Sequence, residues 1–245
     1  MSLLRIVVVS AGLRAPSSTR LLADQLGDAV AASLRSAGQQ VEVQVIELRE
    51  LAHEIADALL TGFPTGKLRT AVGSVAAADG LVVVSPTFSA SYSGLFKSFF
   101  DLFEADALAG TPALLAATGG TERHSLVLEH ALRPLFSYLG ASPVRTGVYA
   151  ATSDFGGASA GRLQARVARA ATEVADAVVM RQGRHDHAGG GTGATTGTFG
   201  APADRLPDPF EDVVPFMDLL ADQQPLGQTA SRRGAHPDAM EDEGL

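Results

Sequence analysis

The amino-acid sequence predicts a doubly wound α/β fold: a five-stranded parallel sheet with helices on both faces. Three observations carry that expectation. Short runs rich in β-branched residues recur along the first 150 positions. Segments with helical spacing of apolar residues separate them. Three of the runs are apolar without interruption, as parallel strands buried on both faces are.

In chain order, the first strand is Arg5–Ser10 (RIVVVS), apolar throughout Ile6–Val9. Leu22, Leu26, Ala29, Val30 and Leu34 follow as one helical stripe. The second strand is Val41–Ile46 and the third Leu81–Ser85 (LVVVS). Leu95–Phe103 is so rich in aromatics that its apolar arc spans about 160°, wider than the stripe of about 100° that one core contact requires. One side is therefore expected to face the sheet and the other a partner subunit. The fourth strand is Ala113–Thr118. Leu128, Leu132, Leu135, Phe136 and Leu139 make a second stripe, which Pro134 should kink or restart. Val144–Ala150 reads as the fifth strand, and Leu163, Val167, Ala170, Val174 and Val178 close the pattern as a third stripe.

Composition narrows the function classes. The formal net charge is −8, from 19 basic and 27 acidic side chains, so neither nucleic acid nor an anionic membrane is an expected partner. The absence of cysteine excludes disulfides, thiolate metal sites and cysteine nucleophiles. No segment approaches the roughly 18 apolar residues of a membrane span, and the first apolar run is too short for a signal peptide, so a cytoplasmic location is expected. Residues 1–182 carry 15 basic and 16 acidic groups, a balance of −1; residues 183–245 carry 4 and 11, a balance of −7. Seven glycines between Gly183 and Gly200 read as a flexible linker, which places a domain boundary near residue 182. Beyond it, the apolar cluster Phe210–Leu220 (FEDVVPFMDLL) is expected to dock, and the segment after Pro225 to be a solvated end.

Ligands of such sheets sit beyond the carboxyl ends of the strands, so the loops after strands 1, 3 and 4 matter most. After strand 1, Ser10, Ser17, Ser18 and Thr19 supply four hydroxyls, and Arg14 and Arg20 two guanidinium groups, around a helix N-terminus. That combination suits a phosphate; simple helix capping by Ser17 or Ser18 explains only one of the six groups. After strand 3, Pro86, Thr87, Phe88 and Ser89 lead a loop of small residues that can lie against a flat ring, although an ordinary strand-to-helix connection would read alike. After strand 4, Gly119 and Gly120 follow Thr118 and let the backbone approach a ligand closely. His124 sits at the start of the next helix, where it either touches a cofactor or is an ordinary surface residue.

Taken together, Ser17-Ser18-Thr19-Arg20, Ser85–Phe88 with Tyr92 and Lys97–Asp101, and Thr118–Thr121 with His124 and Ala131–Pro134 resemble the NAD(P)H-dependent FMN reductase family. The resemblance spans roughly residues 3–180 and is strongest to reductases that supply reduced flavin to monooxygenases. It implies a flavodoxin-like sheet of order 2-1-3-4-5, FMN at the carboxyl edge, NADPH or NADH as hydride donor, and a homodimer or homotetramer. It further implies that Ser10, Ser17, Thr19 and Arg20 hold the phosphate. Pro86, Thr87, Phe88 and Ser89 would border the isoalloxazine, with Thr118, Gly119 and Gly120 completing its cradle. Ser10-Ala11-Gly12 departs from the Gly-Ser that many relatives carry after the strand. Hydride would pass from nicotinamide C4 to flavin N5, a reaction that needs positioning and no catalytic triad or metal.

Several weaker motifs are set aside. Gly62–Leu68 imitates a P-loop but is one residue short and lacks the hydroxyl after Lys67. Gly157–Gly161 matches the G-x-S-x-G hydrolase pattern without directly following a strand. His185-Asp186-His187 has no further metal ligands nearby. Two alternatives from other classes remain: a related flavoenzyme reducing quinones, azo dyes or metal ions, and a non-enzymatic electron carrier.

Overall fold

A computed structural model of the protein describes residues 3–156 and 160–189, with side chains placed through residue 184. The chain opens with β1 (Leu4–Ser10), α1 (Ser18–Ser36) and β2 (Val41–Glu47). Two helices follow, α2 (Ala52–Thr61) and α3 (Gly66–Ala76), then β3 (Gly80–Phe88), the short β4 (Ser91–Tyr92) and α4 (Gly94–Phe100). β5 (Pro112–Gly119), α5 (Arg133–Tyr138), β6 (Ser142–Pro143), β7 (Val148–Ala151) and α6 (Ala160–Gly189) complete it.

The sheet runs β2-β1-β3-β5, with β6 and β7 both pairing to β5 at its far edge. This is the expected 2-1-3-4-5 flavodoxin-like order, but built from seven strands rather than five. One extra strand is β4, which folds back antiparallel on β3. The other arises because the fifth position is split. Between β6 and β7 the backbone leaves the sheet, and side chains take over its polar groups. Glu173 accepts hydrogen bonds from the Thr146 N–H at 2.8 Å and the Thr146 hydroxyl at 2.7 Å, while the Arg133 guanidinium lies 3.4 Å from the Val144 carbonyl. Val144–Ala150 is therefore not one continuous strand.

The period of two along each strand divides the core in two. Leu4, Ile6 and Val8 of β1, with Val82, Val84, Leu114 and Ala116, meet α1 and α6. Val7, Val9, Leu81, Val83, Ala113 and Leu115 face the other way, toward α2, α3, α4 and α5. β2 alternates instead, as the edge strand it is: Val41, Val43 and Val45 pack inward and the residues between them stay exposed.

Phe96, Phe99, Phe100 and Phe103 are buried within this one chain, packed on one another and on Phe136 of α5 with ring centroids 4.8–6.2 Å apart. The wide apolar arc of that segment is thus filled by an internal aromatic cluster; Leu95 and Leu102 are its half-buried flank. Before α5, Leu128–Leu132 forms a π turn, and the α-helix restarts with Pro134 in its first turn, where a missing N–H is tolerated. The P-loop imitation lies at the turn between α2 and α3 rather than after a strand: Gly62 caps α2 at φ 85° and Gly66 opens α3 at φ 52°.

α6 continues past residue 182 to Gly189. The glycine-rich stretch beyond it, the cluster Phe210–Leu220, the acidic end and part of Gly157–Gly161 lie outside the described residues, as do the side chains of His185, Asp186 and His187. Among the described residues, no helix is long and apolar enough to cross a membrane.

Candidate functional site at the carboxyl edge of the sheet

Strand register brings the three expected loops together. Ser10, the last residue of β1, stands opposite Glu47 of β2 and Val84 of β3; Pro86 pairs with Thr118, and Gly119 with Ala151. The loops after β1, β3 and β5 therefore leave side by side from one edge.

In the first loop, Gly12 permits a close approach: a Cβ there would collide with Ser17 Oγ. Ser17 is the N-cap of α1, accepting from the Arg20 N–H at 3.2 Å, which leaves the first N–H groups of the helix facing the loop. Ser18 is exposed at the first helical position. Ser10 Oγ is buried with no hydrogen-bond partner. Thr19 is also buried, and its hydroxyl hydrogen-bonds to that of Thr118 at 2.8 Å, tying the first loop to the third.

The two arginines separate. Arg20 is held by Asp24 at 2.7 Å and by Glu47, and the Asp24 hydrogen bond raises its pKa above the usual value. Its charge is already matched by two carboxylates. Arg14 is exposed and makes no ion pair among the described residues.

In the second loop, the Ser85 hydroxyl accepts from the Ser93 N–H at 3.0 Å and donates to the Pro86 carbonyl at 2.9 Å, closing the base of the β3–β4 hairpin. Thr87 pairs with Tyr92 and Phe88 with Ser91, so Ser89 and Ala90 form a two-residue turn. Both have positive φ, 48° and 63°, the primed-turn geometry that usually selects Asn-Gly. Phe88 is half-exposed on this hairpin, while Pro86 is buried. Thr87 Oγ1 is a second buried hydroxyl, placed beside that of Tyr149.

The third loop is contacted by a residue that sequence reasoning missed. Tyr149 of β7 is buried, and its hydroxyl donates to the Thr121 carbonyl at 2.7 Å. A Cβ on Gly119 would collide with that hydroxyl and lie 3.1 Å from Cζ, so glycine is required there by space. Burial is the main reason the Tyr149 phenol is held above its ordinary pKa. Gly120 is exposed, and His124 lies exposed in a single turn of 3₁₀-helix, Glu122–His124.

The arrangement is chemically suited to a phosphorylated ligand with a flat polar ring. The helix N–H groups beside Ser10 suit an anion, and Ser10 Oγ, buried without a hydrogen-bond partner, is the polar atom of this edge left unsatisfied. A separate cleft of about 890 Å³ opens at the amino end of β5, lined by Pro112, Val144, Glu173, Met180 and Arg181 among others; it shares none of these residues.

Comparison with known proteins gives the chain a family. Residues 4–156 match the family described as NADPH-dependent FMN reductase. A Pseudomonas aeruginosa protein named FMN reductase (NADPH) is 42% identical over 151 residues, 62% of this chain and 78% of the relative. NADH-dependent FMN reductase SfnF of Pseudomonas putida is 40% identical over 154 residues, 63% and 81% of the two chains. Among solved structures, an oxidoreductase from Corynebacterium diphtheriae superposes with a TM-score of 0.71 at 48% identity, covering 74% of this chain and 99% of that one.

Proposed function

The chain belongs to the NADPH-dependent FMN reductase family, and from that premise we propose that it reduces FMN with NADPH or NADH as the donor. One observation carries the reading onto this chain's own residues: the buried hydroxyl of Ser10, which has no hydrogen-bond partner, lies at the edge where the N-terminus of α1 meets the Gly119-Gly120 loop. A buried hydroxyl without a partner is rare in folded proteins, and a bound phosphate supplies the one that Ser10 lacks.

In this reading, Ser10, Ser17 and Ser18 with the first N–H groups of α1 hold the phosphate. Thr19 and Thr118 act together, their shared hydrogen bond fixing the phosphate loop against the ring loop. Pro86, Thr87, Phe88 and Ser89 border one edge of the ring, and Gly119 and Gly120 the other. Arg14 contributes positive charge from the rim. Bound FMN supplies the hydride-accepting chemistry; the protein supplies orientation and keeps the reacting faces from solvent. The half-exposed Phe88 and exposed Gly120 leave one side open for the nicotinamide.

We extend the proposal in four directions. Reduced FMN is passed to a monooxygenase, as the resemblance of the loop motifs implies. The protein is a homodimer or homotetramer, which light scattering at micromolar concentration would refute by giving a monomer mass. It acts in the cytoplasm. Residues 1–182 lie within the flavin-binding domain, which α6 carries on to Gly189, and an acidic tail follows.

The test of function is a mixing experiment. Absorbance at the nicotinamide band should fall with FMN present and not with quinone alone. Equal loss with quinone and no flavin would overturn the assignment.

A further inference from the structure

Tyr149 stands outside every motif that points to the flavin, yet it contacts the ring loop at two places. Its hydroxyl donates to the Thr121 carbonyl, and its phenol ring lies against Gly119 closely enough to forbid a side chain. Thr87 flanks the same spot, its Cβ 3.7 Å from where a Gly119 Cβ would stand. The other end of Tyr149 is fixed as well. Its main-chain carbonyl accepts from Arg166 of α6 at 3.1 Å, Arg166 lies 3.4 Å from Asp154, and Asp154 accepts from the Ala151 N–H at 3.0 Å. A chain of contacts thus runs from α6 through β7 to Gly119–Thr121.

We infer that Tyr149 is a positioning residue for the flavin ring: its hydroxyl anchors Thr121 so that the Gly119-Gly120 backbone is held where the isoalloxazine edge binds. The inference rests on the flavin reading above and deepens it. Gly119 is held by its pairing with Ala151, but Gly120 beyond it has the most pliable backbone available, and the Thr121 contact fixes its far side. A ring recognised through backbone groups depends on placement to within about 0.5 Å. The tyrosine supplies that restraint from below the loop, with its ring packed in the core and its hydroxyl at the loop, a division of labour suited to an amphipathic aromatic.

This role has a signature that ordinary core packing does not share. Anchoring acts on the ring, so its loss should weaken FMN and riboflavin alike, whereas a lesion in the phosphate loop should weaken FMN alone. In the full-length protein, Tyr149→Phe keeps the ring and removes only the hydroxyl. Fluorescence titration should show both flavins weakened by about 2- to 12-fold, the worth of one net hydrogen bond. Val178→Ala, a core change on α6 beside Gly80 at the opposite edge of the sheet, should lower the melting temperature and leave both affinities unchanged. Gly119→Ala should weaken both flavins more than Tyr149→Phe does. The double variant should be less impaired than the product of the two single effects, because the collision with the hydroxyl is gone.

Affinities within two-fold of wild type in Tyr149→Phe, or loss confined to FMN, would overturn the inference while leaving the flavin reading intact. A wild-type protein that binds neither flavin would overturn both.

Discussion

The hydroxyls of Thr19 and Thr118, 99 positions apart in sequence, share a buried hydrogen bond of 2.8 Å. It joins the first turn of α1 to the end of β5, so the two halves of the proposed flavin site meet through one contact. Both side chains are less than 5% exposed, at 3% and 4%. Water cannot replace a lost partner easily at such a place.

Thr19→Val or Thr118→Val alone should therefore leave one buried hydroxyl unpaired, at a cost of about 1–3 kcal/mol. For a domain of this size that is a fall in melting temperature of roughly 2–10 °C. The double valine variant should lose less than the sum of the two. Thermal melts of the four proteins check this; strict additivity would mean that the hydroxyls do not interact.

The arginines give a second expectation. Arg20 is committed to Asp24 and Glu47, whereas Arg14 is exposed and has no ion pair among the described residues. Arg14→Ala should reduce the preference for FMN over riboflavin by about 10- to 150-fold if it makes a full charge-assisted contact with the phosphate. Arg20→Ala should leave the preference nearly unchanged and lower the melting temperature by about 1–3 °C, the scale of partly exposed ion pairs. Titrating both flavins against both variants distinguishes them, and the reverse pattern would return the phosphate to Arg20.

Acid sensitivity should trace in part to Glu173. Burial alone would raise its pKa, but the two Thr146 hydrogen bonds, with Arg145 and Arg169 nearby, outweigh that and hold it below the ordinary value. A carboxyl depressed in the folded state stabilises the fold above its unfolded pKa, about 4.3, and that contribution is lost as pH falls through the folded value. Wild type should thus lose melting temperature below about pH 4.3 more steeply than Glu173→Gln. Parallel curves for the two proteins would assign the acid sensitivity elsewhere.

The hairpin turn is strained at Ala90, whose φ is 63°. Left-handed backbone costs an L-residue about 1–2 kcal/mol, and glycine escapes most of that while adding about 0.4–1 kcal/mol of unfolded-state entropy. Ala90→Gly should accordingly raise the melting temperature by about 1–3 °C, measurable by calorimetry. A decrease would show that the alanine methyl makes a contact worth more than the strain.

Much of the fold was legible because uninterrupted runs such as Val7–Val9 and Leu81–Val84 admit few readings. The three loops were legible for the same reason, since strand ends fix where loops begin. The split fifth position was not. Nothing in Val144–Ala150 shows that Arg133 and Glu173, distant in sequence, take over its polar groups. The engagement of Arg20 was half visible: Asp24 stands four residues on, but Glu47 arrives only through strand pairing. Tyr149 escaped because an aromatic in a β-branched strand reads as core, which it also is.

The π turn at Leu128–Leu132 bears on how this segment can change length. A π turn accommodates one residue more per turn than an α turn. Deleting one residue there converts five residues per loop of backbone into four, yet advances the helix by nearly the same rotation. Leu128 and Phe136 would still both face the core, and Glu129 would still reach Arg133 from one turn away. A deletion within Arg133–Tyr138 has no such reserve and would swing Phe136 by about 100° away from Phe96 and Phe100. The segment therefore carries a built-in site for a one-residue deletion, placed where chains of different length can share one core.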